Sequence, residues 1–331
     1  MNNTFVNESV KNMISIILLS YNSGDYLYEA IDSILKQDYP LIELIVSDDG
    51  SKNFEEEKLR KYIDDNARDN ITYSIIHRKK NIGTVKNINN ALAVSKGEYI
   101  RILGGDDTYP VPDVLSRMIR ILEKEHSIAV VGKLEQCDSV MRSIIDPRVE
   151  KSNAALKNVL KMDYVEGRRY IAQKDIFPIA NQAVCYRREF FEEGGFCDEK
   201  YFLIEDIALA NRLLEINNRL SFFDGYSVKH RAKVGISTSR ELFAPRRLLY
   251  YKDCITYAEC DIATHPEIFG KVYRTEQVRL SRFVYDMAKA KKDGKRFSQQ
   301  FLIMLSYADT MIYYVLTNTR KFLRRMKERI F

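Results

Sequence analysis

At 331 residues, 45% of them hydrophobic, the chain is longer than one core usually supports, so two parts are expected. The 52 Lys and Arg against 46 Asp and Glu leave +6, and with no local basic patch in the first 240 residues that mild excess speaks against nucleic acid as a partner. Scattered Cys137, Cys185, Cys197, Cys254 and Cys260 form no CxxC pair, which excludes a disulfide framework or structural zinc; with no apolar leader and no apolar run of about 18 residues, a cytoplasmic protein is expected.

Residues 14–19 (ISIILL) form an apolar run of strand length, rich in β-branched Ile and too short for a helix. It ends in the turn cluster Ser20, Tyr21, Asn22, Ser23 and Gly24. Asp25 then stands where an N-cap belongs, ahead of Leu27, Ala30, Ile31, Ile34 and Leu35 on one helical face that Pro40 terminates. Residues 43–47 predict a second strand, Phe54, Leu59, Tyr62 and Ile63 a looser helix, and 71–76 a third strand. After Asn81, Ile82 and Gly83, the positions of Val85, Ile88 and Leu92 mark another helix, which Gly97 closes. Residues 99–103 return as a strand leading into Gly104, Gly105, Asp106 and Asp107, and a helix over 114–122 and an apolar stretch at 128–132 follow. This alternation predicts an α/β fold, a doubly wound and mainly parallel sheet with right-handed crossovers.

Further along, 186–196 reads as a strand and a short helix ending at Gly194 and Gly195, and Glu205 and Asp206 open a helix through Leu209, Leu213 and Leu214. Beyond 240 the pattern is helical: Leu242, Leu248, Leu249 and Tyr250 in one stretch, 272–287 in another, and 301–316 as the most apolar. Because 301–316 holds Asp309 and several tyrosines, it predicts a buried helix or a homo-oligomer contact rather than a span. The expected division is 1–240, binding and catalytic, and 241–331, a C-terminal helical region. At the end, Arg320, Lys321, Arg324, Arg325, Lys327 and Arg329 interleave with Phe322, Leu323, Met326, Ile330 and Phe331. That pattern suits the anionic inner face of a plasma membrane, or a solvated terminal helix.

The chemistry lies in two carboxylate pairs. Asp48 and Asp49 end the second strand, and Asp106 and Asp107 follow the fourth. In an open parallel sheet ligands bind beyond the carboxyl ends of the strands, so the pairs are expected to converge on one pocket. Carboxylates repel an anionic ligand but hold a divalent metal that bridges phosphates, and they accept hydrogen bonds from a base or ribose. A nucleotide diphosphate with Mg²⁺ or Mn²⁺ meets both demands. Plainer readings stay open: Asp-Asp-Gly-Ser is also an ordinary turn and cap, and Asp106 and Asp107 are also a turn ahead of Pro110. Glu205 and Asp206 likewise read as a helix cap, where the dipole lowers a carboxylate's pKa, or as a base aimed into a cleft.

In order and spacing, SIILLSYN (15–22), SILKQDYP (33–40), VSDDGS (46–51), NIGTVKN (81–87), GEYIRILGGDD (97–107), YRREFFEEGGF (186–196) and EDIALANR (205–212) resemble the family 2 glycosyltransferases, inverting enzymes with the A-type fold. The resemblance covers roughly 12–240. It implies sugar transfer from a nucleotide diphosphate donor, a UDP-sugar above others, to a glycan or lipid-linked acceptor in bacterial surface-polysaccharide synthesis. It also implies a donor site of Ser20, Tyr21, Asn22, Asp48, Asp49, Asn81, Gly83, Asn87, Gly105, Asp106 and Asp107, with an acid of the first pair accepting from the base. Asp106 matches the metal-binding acid of the family's DxD motif, and Gly104 stands where its first acid is often found. Asp206 matches the general base, with Glu205 in support. His230, in 226–239 (YSVKHRAKVGISTS), matches a histidine on a flexible loop over the donor phosphates. It is a metal ligand there or a structural histidine, and Arg231 or Lys233 would neutralise the departing diphosphate. Two other classes stay open: a nucleotidyltransferase, which usually needs a basic glycine-rich loop that 20–25 lacks, and a non-catalytic nucleotide-sugar-binding partner of another transferase.

Overall fold

The computed structural model describes residues 4–232, 234 and 245–317. The chain divides into two compact units, Met1–Thr238 and Ser239–Phe331.

The first unit is built on a seven-stranded sheet of order β3-β2-β1-β4-β6-β5-β7. Its strands are β1 (Val10–Ser20), β2 (Ile42–Asp48), β3 (Ile71–His77), β4 (Gly97–Gly104), β5 (Ala129–Cys137), β6 (Val184–Arg187) and β7 (Leu220–Arg231). The helices α1 (Tyr26–Leu35), α2 (Glu56–Asn66), α3 (Thr84–Val94) and α4 (Val114–Glu125) cross between strands, and α5 (Pro147–Val159), α6 (Tyr164–Lys174), α7 (Glu189–Gly194) and α8 (Glu205–Glu215) fill the later segments. All seven residues of β2 are buried, as a strand covered by helices on both faces requires. The apolar face of α1, Leu27, Ala30, Ile31, Ile34 and Leu35, packs into the same core as Ile14, Ile16 and Leu18 of β1.

Two local details differ from the sequence reading. Asp25 occupies the N-cap position of α1 without a side-chain capping bond. Gly97 begins β4 rather than closing α3, which ends at Val94. The sheet is mainly parallel as expected, with the short β6 running antiparallel to both β4 and β5.

Register explains where the site forms. Ser20 pairs with Asp48 and Leu19 with Gly104, so β1, β2 and β4 release their loops at one edge of the sheet. Because β6 is antiparallel to both neighbours, β5 and β7 run with β4 and end at that edge too, where Gln136 pairs with His230 and Cys137 with Arg231. An isolated bridge between Thr108 and Lys229 then joins the segment after β4 to the end of β7. His230 therefore sits on a strand. The expectation of a flexible loop at that residue is corrected, because its backbone is held by the β5 ladder.

The second unit contains α9 (Pro245–Cys260), α10 (Lys271–Lys292), α11 (Phe297–Ser306) and a helical stretch at 308–317. Arg282 of α10 pairs with Glu259 of α9 at 2.7 Å, and Tyr307 donates to Asp286 of α10 at 2.8 Å. Among the described residues no helix is long and apolar enough to cross a membrane. Of the two readings of 301–316, the buried helix is corrected, because Phe301, Leu302, Leu305 and Ile312 are exposed; that exposure does not test the homo-oligomer contact. Leu242, Lys233, Gly235 and the basic tail from Arg320 to Phe331 lie outside the described residues.

Candidate active site

The loops after β1 and β2 are stitched together. Asn22, at φ 53°, donates its backbone N–H to Ser51 Oγ at 2.7 Å, and its side-chain oxygen accepts from Lys52 N at 3.2 Å. Asp48 is fully buried. It accepts from Gly50 N at 3.1 Å, Ser51 N at 2.8 Å and Ser51 Oγ at 2.5 Å, and it meets His77 Nδ1 at 2.9 Å. Asp49, also buried, accepts from Ile82 N at 2.7 Å and Gly83 N at 3.0 Å. Burial raises the Asp49 pKa, while those two amides and the Arg78 charge pull it back. The first pair thus braces two loops, and a nucleoside would approach it as one more donor to carboxylates already engaged.

Gly83 is a position that only glycine fills comfortably. Its φ is +92°, and a Cβ there would stand 2.5 Å from the Phe202 carbonyl oxygen. Asn87, expected at the nucleotide, is buried and exchanges hydrogen bonds with Ser47 Oγ (2.7 Å) and the Ser47 carbonyl (2.9 Å), bracing α3 on β2. Its Oδ1 also accepts from Arg78 Nε at 3.3 Å. Arg78 was missed in the sequence; the signal was a cation directly after β3, at the edge where the other loops emerge. Asn81 is exposed beside it, and Tyr21 is half-buried. Ser20, Asn22, Ser51, Phe54 and Lys58 line a cavity of about 270 Å³ there.

The second pair sits on a tight turn in which Asp107 N donates to the Gly104 carbonyl at 3.0 Å. Gly105 N donates to the Leu19 carbonyl at 2.7 Å, and a Cβ on Gly105 would meet that oxygen at 2.8 Å. Close packing on β1 therefore explains this glycine. Asp107 is buried and accepts from Arg231 N at 3.2 Å and meets His230 Nδ1 at 2.9 Å. Asp106 is half-buried. Burial, with Asp107 beside it, pushes its pKa up to about 6 against the pull of His230 and Arg231. Burial opposes a charge on His230, but Asp107 and Asp106 outweigh it and hold the imidazole at about 9.

Arg231 is not available to a diphosphate, which corrects that expectation. It is fully buried, pairs with Glu29 at 2.6 Å, donates to the Asp106 carbonyl at 3.0 Å and to the Ser139 carbonyl, and lies over the Tyr26 ring at 4.0 Å. Its guanidinium is a fastener beneath the Asp106 turn.

Among the described residues no three His, Cys, Asp or Glu side chains gather as a metal cage. The donors present are the Asp106 carboxylate and, once a bound cation displaces the ring's proton, His230 Nε2, since Nδ1 is engaged by Asp107. Such a set fits Mg²⁺ or Mn²⁺ whose remaining positions are filled by phosphate oxygens and water. The Asp107–His230 contact at 2.9 Å holds the imidazole with Nδ1 toward Asp107.

Asp206 opens α8 and shares a cavity of about 390 Å³ with His230, Gln136, Arg148, Phe177 and Gln182. Its Oδ1 accepts from Ile207 N at 2.8 Å. Burial raises its pKa despite the backbone N–H groups that lower it, so the expected lowering by the helix dipole is overturned. Glu205 is half-buried and not part of this lining; its charge reaches Cys197 and Tyr186 instead. Arg148 stands at the start of α5, where Asp146 caps Arg148 N at 2.8 Å and Pro147 occupies the first turn. That cap-and-proline pair was the legible signal for a helix missed in the sequence.

The glycosyl transferase family 2 signature matches residues 15–195. A glycosyltransferase of Rickettsia typhi is 39% identical over 214 residues, 62% of this chain and 60% of that protein. Glycosyltransferase GlyG of Streptococcus pneumoniae is 30% identical over 118 residues, 36% of this chain and 38% of GlyG. The chain thus spans about three fifths and two fifths of the length of these relatives. Among solved structures, S. aureus TarS 1–349 in complex with UDP-GlcNAc superposes with TM-score 0.55 at 17% identity, covering 90% of this chain and 80% of that one. Mannosyltransferase PcManGT of Pyrobaculum calidifontis, in complex with GDP-Man and Mn²⁺, superposes with TM-score 0.53 at 18% identity, covering 94% and 84%. At those identities the structures establish the A-type fold, and the match over more than half its length establishes that the chain belongs to glycosyl transferase family 2.

Proposed function

We propose that the protein is an inverting, metal-dependent glycosyltransferase that moves a sugar from a nucleotide diphosphate donor, a UDP-sugar in first place, to a saccharide or lipid-linked acceptor of a bacterial surface polysaccharide. The observation that carries this reading is the cavity shared by Asp206 and His230, with His230 meeting Asp107 of the turn after β4 at 2.9 Å. The UDP-GlcNAc bound to TarS and the GDP-Man and Mn²⁺ bound to PcManGT support the donor class and the ion.

The acceptor enters the cavity of Asp206, where Phe177 offers a flat apolar wall and Gln136 and Gln182 offer amides. Asp206 Oδ1 is tied to Ile207 N, which leaves Oδ2 to take the acceptor hydroxyl proton as the oxygen attacks the anomeric carbon. One displacement with one base inverts that carbon and needs no covalent enzyme intermediate. Asp106 and His230 would hold the divalent ion, whose chemistry is charge neutralisation on the departing diphosphate. Asp107 keeps the His230 ring in place.

Donor hydrolysis and transfer should be screened across UDP-glucose, UDP-galactose, UDP-N-acetylhexosamines, dTDP-rhamnose and GDP-mannose, with Mn²⁺ and with chelator. Metal-dependent turnover of one donor supports the reading. Tight nucleotide-sugar binding with no turnover across acceptors would favour a non-catalytic binding partner.

A further inference from the structure

The second unit carries a surface that sugar transfer does not use. α11 is rich in apolar side chains: Ile303 and Met304 are partly covered, while Phe297, Phe301, Leu302 and Leu305 are 78, 47, 64 and 53% exposed. Those four fall at i, i+4, i+5 and i+8, one broad face. Exposed apolar side chains continue at Ile312, Val315 and Leu316 in the next helical stretch.

Directly ahead of that face lie five exposed cations, Lys289, Lys291 and Lys292 in the last turn of α10 and Lys295 and Arg296 before α11, with Asp293 the one acid among them. The three lysines of α10 suit the negative end of their own helix dipole. Lys295 and Arg296 do not, because they stand at the positive end of α11, where a cation is disfavoured unless an outside anion answers it.

We propose that the corner between α10 and α11 docks on an anionic lipid bilayer, with Phe297, Phe301, Leu302 and Leu305 entering at headgroup depth and the five cations meeting lipid phosphates. Bulky apolar side chains rimmed by Lys and Arg are the pattern of a helix that lies in an interface, and at ten residues α11 is too short to span. A second copy of the chain fits less well, since a two-fold contact sets each cationic corner against its twin. Aliphatic Leu302 and Leu305 likewise offer nothing to a nucleic-acid backbone.

The test is sedimentation of the full chain with phosphatidylcholine vesicles and with vesicles containing phosphatidylglycerol, at low and moderate salt. Binding should require the anionic lipid and weaken as salt rises. Lys289, Lys291, Lys292 and Lys295 changed together to Gln should lower it by roughly 10²–10³-fold, at about fivefold per charge. Phe301→Ser with Leu305→Ser should lower it roughly tenfold per side chain. Each variant should keep the wild-type thermal melt, because the substituted positions are exposed. Four results would overturn the proposal: equal binding to both vesicle types, no binding, corner variants that bind like wild type while removal of 319–331 abolishes binding, or a dimer in light scattering that Leu305→Ser dissolves with no vesicle binding by the wild type.

Discussion

Asp107 and His230 are 123 residues apart in sequence, yet their side chains meet at 2.9 Å where β4 and β7 end at the same sheet edge. The contact uses Nδ1 and leaves Nε2 as the nitrogen able to hold a metal. In the proposed function Asp107 is the support and Asp106 the ligand, two adjacent acids with separate tasks.

That division makes a testable difference. Asp106→Asn should remove most of the Mn²⁺ enhancement of nucleotide binding. Asp107→Asn should weaken it about 10–100-fold, the usual cost of losing the group that orients a ligating histidine. Nucleotide titrations with and without Mn²⁺ separate the two. Equal metal enhancement in wild type and Asp106→Asn would remove Asp106 from the site.

Arg231 supplies a stability prediction. Arg231→Met keeps the bulk but leaves the Asp106 and Ser139 carbonyls without their donor and Glu29 without its partner. The half-buried Asp106 carbonyl loses its donor at about 1–3 kcal/mol, while exposed Ser139 and half-exposed Glu29 add little because water can answer them. Urea denaturation should show a loss of about 1–3 kcal/mol. A loss under about 1 kcal/mol would mean that the guanidinium is not what fastens the turn.

The contrast between Asp107 and Arg231 marks what a sequence displays. The first four strands were legible because each is a short apolar run bounded by turn residues, and local periodicity decides such elements. β6 has four residues and takes its direction from β4 and β5, both of which precede it by long intervals, so its antiparallel course left no local trace. β7 contains Asp224, Gly225 and Lys229, polar enough to read as a loop; its pairing with β5 overrides that composition. Among the site residues, the acids were visible as pairs at strand ends. Arg231 was misread as a phosphate ligand because arginine is rarely fully buried, and only the fold brings Glu29 and Tyr26 against it.

Gly83 is the backbone test. Gly83→Ala meets both the φ of +92° and the Phe202 carbonyl, and the resulting shift would loosen the amide pair of Ile82 and Gly83 that holds Asp49. The expected cost is about 1–3 kcal/mol of stability, together with weaker nucleotide binding. An alanine variant with the wild-type melting temperature and wild-type nucleotide affinity would show that the loop adapts without strain.

Asp206→Asn probes the chemical step. The amide keeps the carboxylate's shape and can still accept from Ile207 N through its oxygen, but it cannot take the acceptor's proton, so donor affinity should persist while transfer falls roughly 10²–10⁴-fold. The pH profile carries the same signature. Burial disfavours the ionised form of Asp206, so the wild-type acid limb should lie above the ordinary carboxylate range, with turnover falling as pH drops through the raised pKa and the base becomes protonated. In Asp206→Asn the residual rate should lose that limb. His230 is the rival, because it lines the same cavity. Near-normal turnover in Asp206→Asn, alongside an inactive His230→Ala that still binds Mn²⁺ and nucleotide, would transfer the proton-accepting role to the histidine and return the start of α8 to a helix cap.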